Sequence, residues 1–197
     1  AAKSPAWAQQ NSWDPLILHI EGDSYMAGAY SLVLGQKIAN AAGRPYVANA
    51  VGGNTFQQIR DRLLAAVGLH GLTTVIWDGR ANGYGDVATT LALIDDIAAV
   101  VPKNRLIILP PVRYAFETEA YNDDMTAIFE GIKERGIKTL DPFDILAPLN
   151  DGSPADLDAI KPENHHIPPS LFPFESDNVH LGEEALDAMA AAIADLL

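Results

Sequence analysis

Residues 16 to 28 read Leu-Ile-Leu-His-Ile-Glu-Gly-Asp-Ser-Tyr-Met-Ala-Gly. Leu16 to Ile20 is a short apolar run, too brief for a helix and rich enough in branched residues for a buried strand. It ends at Glu21-Gly22-Asp23-Ser24, and helical character follows from about Met26 to Ala42. A serine where a first strand gives way to a first helix lies at the carboxyl edge of a parallel sheet. Open α/β sheets bind their ligands at that edge. Gly-Asp-Ser equally suits a tight turn and a helix N-cap with no chemistry attached. Its meaning therefore depends on what the rest of the chain brings to the same edge.

Working outward, the alternation continues. Tyr46 to Asn49, Leu72 to Trp77, Arg105 to Leu109 and Ile137 to Leu140 read as four further short strands. Helical stretches separate and follow them, at about Phe56 to Val67, Asp86 to Val100, Thr118 to Arg135 and Gly182 to Leu197. Leu91, Ile94, Ile97 and Ala98 share one face of the second of these. Strands alternating with helices specify an α/β fold with a parallel sheet covered on both faces. The expected architecture is a three-layer, flavodoxin-like, doubly wound parallel sheet of five strands in the order 2-1-3-4-5. Residues 1–15 read as an N-terminal arm, with Trp7 and Trp13 available to dock on the body, and residues 16–197 as one domain. The stretch 141–176, rich in Pro and Asp, is too long for a plain linker and is expected to form a lid or a pocket wall.

Composition narrows the function classes. The chain has 197 residues, enough for one domain with a real core, and 48% of them are hydrophobic, which excludes general disorder. A formal charge of −13 disfavours nucleic acid and anionic membrane surfaces as partners. No apolar run approaches the length of a membrane span. There are no cysteines, so disulfides, thiolate metal sites and cysteine nucleophiles are out, and the redox compartment stays open. The start, Ala-Ala-Lys-Ser-Pro-Ala, fits either a terminus left by signal-peptide cleavage or an arbitrary starting point. The expectation drawn from it is a secreted or periplasmic protein. Neither GxGxxG nor GxxxxGK[ST] is present, and Met26 stands where a GxSxG elbow needs its second glycine.

Four blocks could meet at the sheet edge: Gly22-Asp23-Ser24 after strand one, Gly53 within Val51 to Thr55 after strand two, Asn82 after strand three, and Asp177-Asn178-Val179-His180 before the last helix. In their order and placement these blocks resemble the SGNH hydrolases, also called the GDSL esterase and lipase family, over about residues 16 to 195. That family is named for Ser, Gly, Asn and His in four such blocks. Two departures stand out. The family usually shows Gly-x-Asn-Asp in the third block, whereas here Gly79 lies three residues before Asn82 and Gly83 follows it. Tyr25 follows the serine where Leu or Ile is usual.

The resemblance implies a serine esterase working through an acyl-enzyme, without cofactor or metal. Family substrates include acetylated sugars and polysaccharides, simple aryl and alkyl esters, lysophospholipids and acyl thioesters. A small acyl group on a carbohydrate is the first expectation, with a thioesterase, lysophospholipase or acyltransferase, or a catalytically silent binding module on the same fold, as alternatives. The chemistry asks for these residue types in its own right. Ser24 needs a base to become a nucleophile. His180 is a natural one, because imidazole titrates near neutrality and can return the proton to the leaving alcohol. Asp177 is close enough in sequence to hydrogen-bond the other ring nitrogen and fix its tautomer. The oxyanion needs donors, expected from the backbone N–H of Ser24 and Gly53 and from the Asn82 amide. Tyr25, Arg80, Tyr84 and Arg113 follow strand ends and are expected to line the pocket, and Asp78, which would repel an oxyanion, is expected either to point away or to be paired, with Arg80 as a candidate partner. His165-His166 resembles a metal pair, but adjacent residues cannot easily face one ion and no further ligands are spaced to help. His19 reads as a satisfied core or edge histidine.

Overall fold

The computed structural model describes residues 16–30, 32–174 and 179–197. Four parallel strands, β1 (Leu18–Gly22), β2 (Tyr46–Ala48), β3 (Thr73–Trp77) and β4 (Leu106–Leu109), form one sheet in the order β2-β1-β3-β4. The expected topology is present, with one correction. Ile137 to Leu140 is not a fifth strand; it meets β4 through a single parallel bridge, Ile107 with Lys138. Three residues after Lys138, Asp141 caps a new helix with Pro142 in its first turn, so the chain leaves the sheet before a ladder can grow.

Among the described residues there are eight α-helices: α1 (Ser24–Ala27), α2 (Leu34–Ala42), α3 (Phe56–Ala65), α4 (Val87–Val100), α5 (Glu119–Glu134), α6 (Pro142–Leu146), α7 (Pro154–Ala159) and α8 (Glu183–Asp195). The single helix expected from Met26 to Ala42 is therefore two. Gly28, at φ +101°, ends α1, and a small bridge between Ala29 and Leu32 turns the chain before α2 begins.

The pleat sorts the core into two layers. Leu18, Ile20, Val75, Trp77, Ile107 and Leu109 face α2 and α8. Ile76, Leu106 and Ile108 face the other way, onto Ile59 and Leu63 of α3, Ile94 and Ile97 of α4, and Ile128 and Ile132 of α5. On β1 this second face carries His19 and Glu21 instead of aliphatic residues, and both are fully buried. His19 lies between Asn49 and Thr74, a satisfied core histidine.

The connection after β4 is a packed wall. Asp156 of α7 is fully buried and accepts from the backbone N–H of Asp151 and Ser170 and from the Ser170 hydroxyl. Burial alone would raise its carboxyl, but these donors hold it below the ordinary value. Ile167 and Leu171 enter the core beside α8. Of the two readings, lid or pocket wall, the described part of this stretch packs as a wall, built by burial and by one carboxylate that accepts three hydrogen bonds. Among the described residues no helix is long and apolar enough to cross a membrane.

Candidate active site

The strand order reverses at β1, which has β2 on one side and β3 on the other, so the loops leaving β1 and β3 diverge over a natural crevice. Ser24 leaves β1 into that crevice and Asn82 follows β3. The turn that delivers Ser24 demands glycine before it. Gly22 sits at φ +148°, and a Cβ there would lie 2.2 Å from the carbonyl oxygen of Trp77. The β1 and β3 backbones could not keep their register with any larger residue.

Ser24 opens α1, and Asp23 caps it by accepting from the Tyr25 N–H at 2.9 Å. From the start of the final segment, His180 brings Nε2 to 2.8 Å from Ser24 Oγ. Two side chains 156 positions apart in sequence thus meet at this edge. Asp177 lies outside the described residues. Gly53 adopts the left-handed φ of +75°, and a Cβ built on its neighbour Gly52 would lie 3.7 Å from the Ser24 Cβ. The second block therefore runs alongside the serine.

Asn82 reaches the same place by a route the sequence did not reveal. Its Nδ2 donates to Asp23 Oδ2 at 3.0 Å, and its backbone N–H donates to Asp78 Oδ1 at 3.3 Å. Asp23 and Asp78 are both buried. Burial, followed by the charge of Asp23, pushes the Asp78 carboxyl well above the usual carboxylate range. Asp23 is also raised, again mainly by burial, although the donors around it pull the other way. Asp78 is raised further than Asp23, so of the two it is the carboxyl that keeps a proton to higher pH. The expected Asp78–Arg80 pair is corrected. Arg80 instead meets Glu117 at 3.1 Å and lies over the rings of Tyr114 and Phe116.

The four expected pocket residues divide. Tyr25 is buried behind Ser24, packed edge-on against Trp77 at 4.8 Å and tilted beside His180 at 6.0 Å. Its hydroxyl donates to the carbonyl of Val179 and receives the Tyr114 hydroxyl at 2.5 Å, tying the segment before His180 to the core. Arg80 and Tyr84 border a shallow hollow with Asn82 and Tyr121. Arg113 is elsewhere. It is buried, binds Asp141 at 2.7 Å and Thr126 at 3.0 Å, and anchors the wall after β4 rather than a pocket. His165 and His166 also part company, one against Asp141 and Phe143, the other against Asn122. No group of three or more His, Asp or Glu side chains among the described residues is placed to hold a metal ion.

Ser24, Tyr25, Leu32 and His180 border a small crevice. A deeper hollow of about 280 Å³ opens beside Asn82 and Tyr84 and runs between α4 and α5 to Ile94, Ile108 and Ile132. At the crevice mouth the Tyr30 and Phe174 rings stack at 3.9 Å, and Tyr30 stands edge-on to His180 at 6.1 Å.

Sequence reasoning missed Glu21. A carboxylate in a strand flanked on both sides requires a cationic partner, and Arg62 of α3 supplies it, Nη2 at 2.8 Å from Oε2. The charge inside an otherwise apolar run was the available signal.

No protein-family model matches the chain, and no curated protein sequence does either. Solved structures do. A lipolytic protein of the G-D-S-L family from Desulfitobacterium hafniense DCB-2 superposes with a TM-score of 0.69 at 14% identity, over 92% of this chain and 99% of that one. The lipase/acylhydrolase from Enterococcus faecalis gives 0.65 at 15% identity, over 91% and 93%. The psychrotrophic esterase EstA from Pseudoalteromonas sp., inhibited by monoethylphosphonate, gives 0.56 at 16%, over 91% and 97%. In architecture, and over nearly its whole length, the chain has the fold of the GDSL, or SGNH, hydrolases.

Proposed function

We propose that the protein is a serine esterase that hydrolyses a carboxylic ester through an acyl-enzyme. The observation that carries this reading is the 2.8 Å separation of Ser24 Oγ and His180 Nε2 at the carboxyl edge of the sheet. His180 takes the Ser24 proton as Oγ attacks the ester carbonyl, and the carbonyl electron pair moves onto oxygen. The oxyanion is received by the N–H groups of Ser24 and Gly53 and by Asn82. The Asn82 amide has two hydrogens; Asp23 takes one, which fixes the group while leaving the other for the oxyanion. Collapse of the intermediate expels the alcohol, which leaves with the proton held by His180. A water molecule, deprotonated by the same ring, then releases the acid and restores Ser24. Asp177 is assigned to orient the ring. Tyr25, behind the serine, acts on the His180 segment rather than on substrate.

For the substrate, we propose a small ester, with acetyl on a carbohydrate as the first candidate. The stacked Tyr30 and Phe174 rings offer a flat face of the kind that sugars pack against. The deep hollow beside Asn82 makes longer acyl chains the necessary comparison. The test is a panel of p-nitrophenyl and sugar esters graded from acetyl to octanoyl, run beside organophosphonate labelling of Ser24. Ser24→Ala should lose about 10³-fold or more in kcat, and all labelling, without change in melting temperature. Failure of the parent to hydrolyse any ester or to take up the label would overturn the reading and leave a binding module on this fold.

A further inference from the structure

The loop that carries Gly53 must be held still if its N–H is to stabilise developing charge, because a donor contributes most when its position is fixed before the reaction. Gly53 does not provide that rigidity. It has a left-handed φ, and a Cβ built on it would meet nothing within 4 Å. The rigidity has to come from its neighbours, and these converge on one guanidinium.

Arg62 lies in the last turn of α3. Its Nε and Nη2 both donate to Glu21 Oε2, at 3.1 and 2.8 Å, and Nη2 also lies 3.4 Å from the carbonyl of Gly22. Its Nη1 donates to Asn54 Oδ1, on the residue next to Gly53. The far end of the loop is tied to the same strand, since the Val51 N–H donates to the Gly22 carbonyl at 3.0 Å. Asn54 N–H closes the loop onto the Val51 carbonyl at 3.3 Å. Glu21 is fully buried, three residues before Ser24 on the strand that delivers it. One planar fork thus spans the strand of the serine and the loop of the glycine.

We infer that Arg62, held by Glu21, is a positioning residue that sets the Gly53 loop against Ser24 through Asn54. The inference rests on the esterase reading above and adds a role for three residues that reading does not use. Stability alone is a weak reason for the arrangement, because burying a charged pair costs desolvation that a well-packed apolar pair would avoid. Geometry is the better reason. A guanidinium reaches Glu21 and Asn54 at once from fixed directions, and an ammonium cannot. The same contact commits the Asn54 side-chain oxygen to the scaffold.

The experiment measures kcat and KM for p-nitrophenyl acetate, together with melting temperature, in Arg62→Met, Arg62→Lys, Asn54→Ala and the Arg62→Met/Asn54→Ala double variant. Arg62→Met and Asn54→Ala should each lower kcat by about 10-fold with KM within about twofold of the parent. Because both break one link, the double variant should be no slower than Arg62→Met alone. Arg62→Lys should recover melting temperature by keeping a charge beside Glu21, but it should not recover kcat. The inference is overturned if Asn54→Ala keeps kcat within about twofold, if the two losses multiply, or if lysine restores rate and stability together. Ser24→Ala is run alongside. An active Ser24→Ala protein would sink the esterase reading itself, whereas an inactive one beside a fully active Asn54→Ala would sink only the role of Arg62.

Discussion

Tyr25→Phe isolates a single oxygen whose removal should be felt at His180. The ring itself is kept, so packing against Trp77 survives and no cavity opens. What disappears is the hydroxyl between Tyr114 and the Val179 carbonyl, in a residue only 3% exposed. The Tyr114 hydroxyl still has the Gly79 carbonyl at 3.4 Å, so the link that is lost is the one between the core and the Val179 carbonyl, next to His180. Losing one hydrogen bond to a part-buried carbonyl costs about 0.5–1.5 kcal/mol. For a chain of this length each kcal/mol moves the melting temperature by roughly 2–4 °C, so a fall of a few degrees is expected. Displacing the base by a fraction of an ångström should lower kcat by about 10-fold or more with little change in KM. Gly79→Ala attacks the same ring from the other side, because its Cβ would fall 2.5 Å from the Tyr25 ring. It should reproduce the loss of kcat with the hydroxyl intact. Thermal melts and steady-state kinetics check both variants. A Tyr25→Phe protein that melts within about 1 °C of the parent and turns over at the parental rate would refute the tie between this hydroxyl and His180.

The other predictions concern the Asp23–Asn82–Asp78 cluster. Asn82→Ala should cut kcat by roughly 10²- to 10³-fold with little effect on KM, and it should also lower the melting temperature, because Asp23 loses a donor. A loss below about threefold in a protein that melts like the parent would move the oxyanion donor elsewhere. For Asp78→Asn the sign is set by a raised carboxyl. A group that binds its proton more tightly when folded adds stability at low pH, and that stability is lost as pH rises above the ordinary carboxylate range. Asparagine mimics the protonated form, so the variant should match the parent near pH 4 and out-melt it by several degrees near pH 8. Melting curves across that range check it, and an advantage that shrinks with rising pH would reverse the assignment of the proton.

The blocks at Ser24, Gly53, Asn82 and His180 could be found from the sequence because each follows an apolar run or precedes a strongly periodic helix, where pattern is most informative. The topology followed from the alternation alone. Two losses have a common cause. Ile137 to Leu140 has the composition of a strand, but Asp141 and Pro142 start a helix too soon for more than one bridge, and end signals outweigh a short apolar run. The break at Gly28 is of the same kind: a glycine inside an apolar, helix-like stretch ends the helix at a positive φ. Side-chain partnerships were a different matter. Arg113 follows a strand end just as Arg80 does, yet one anchors the wall to Asp141 and the other borders a hollow. Nothing in a linear sequence distinguishes them, because the partner lies on an element whose approach is set by packing. Asp78 misled for a related reason: an arginine two positions away looked like its partner, when the Asn82 N–H and the neighbouring Asp23 carboxyl are what it meets.

Tyr25 and Tyr114 share a hydroxyl contact inside the core, and burial raises both phenols well above their ordinary value. An acidic protein is usually thought vulnerable to acid; this pair gives the fold an alkaline ceiling. Unfolded tyrosines ionise near pH 10, whereas the folded pair holds its protons, so the stability it contributes at lower pH is lost as pH rises past the unfolded value. Each phenol withdraws up to about 1.4 kcal/mol per pH unit from that point. Their phenolate absorbance should therefore emerge together with the collapse of the structure. The hydroxyl chain that steadies the base of the candidate site is, on this account, also where strong alkali opens the molecule.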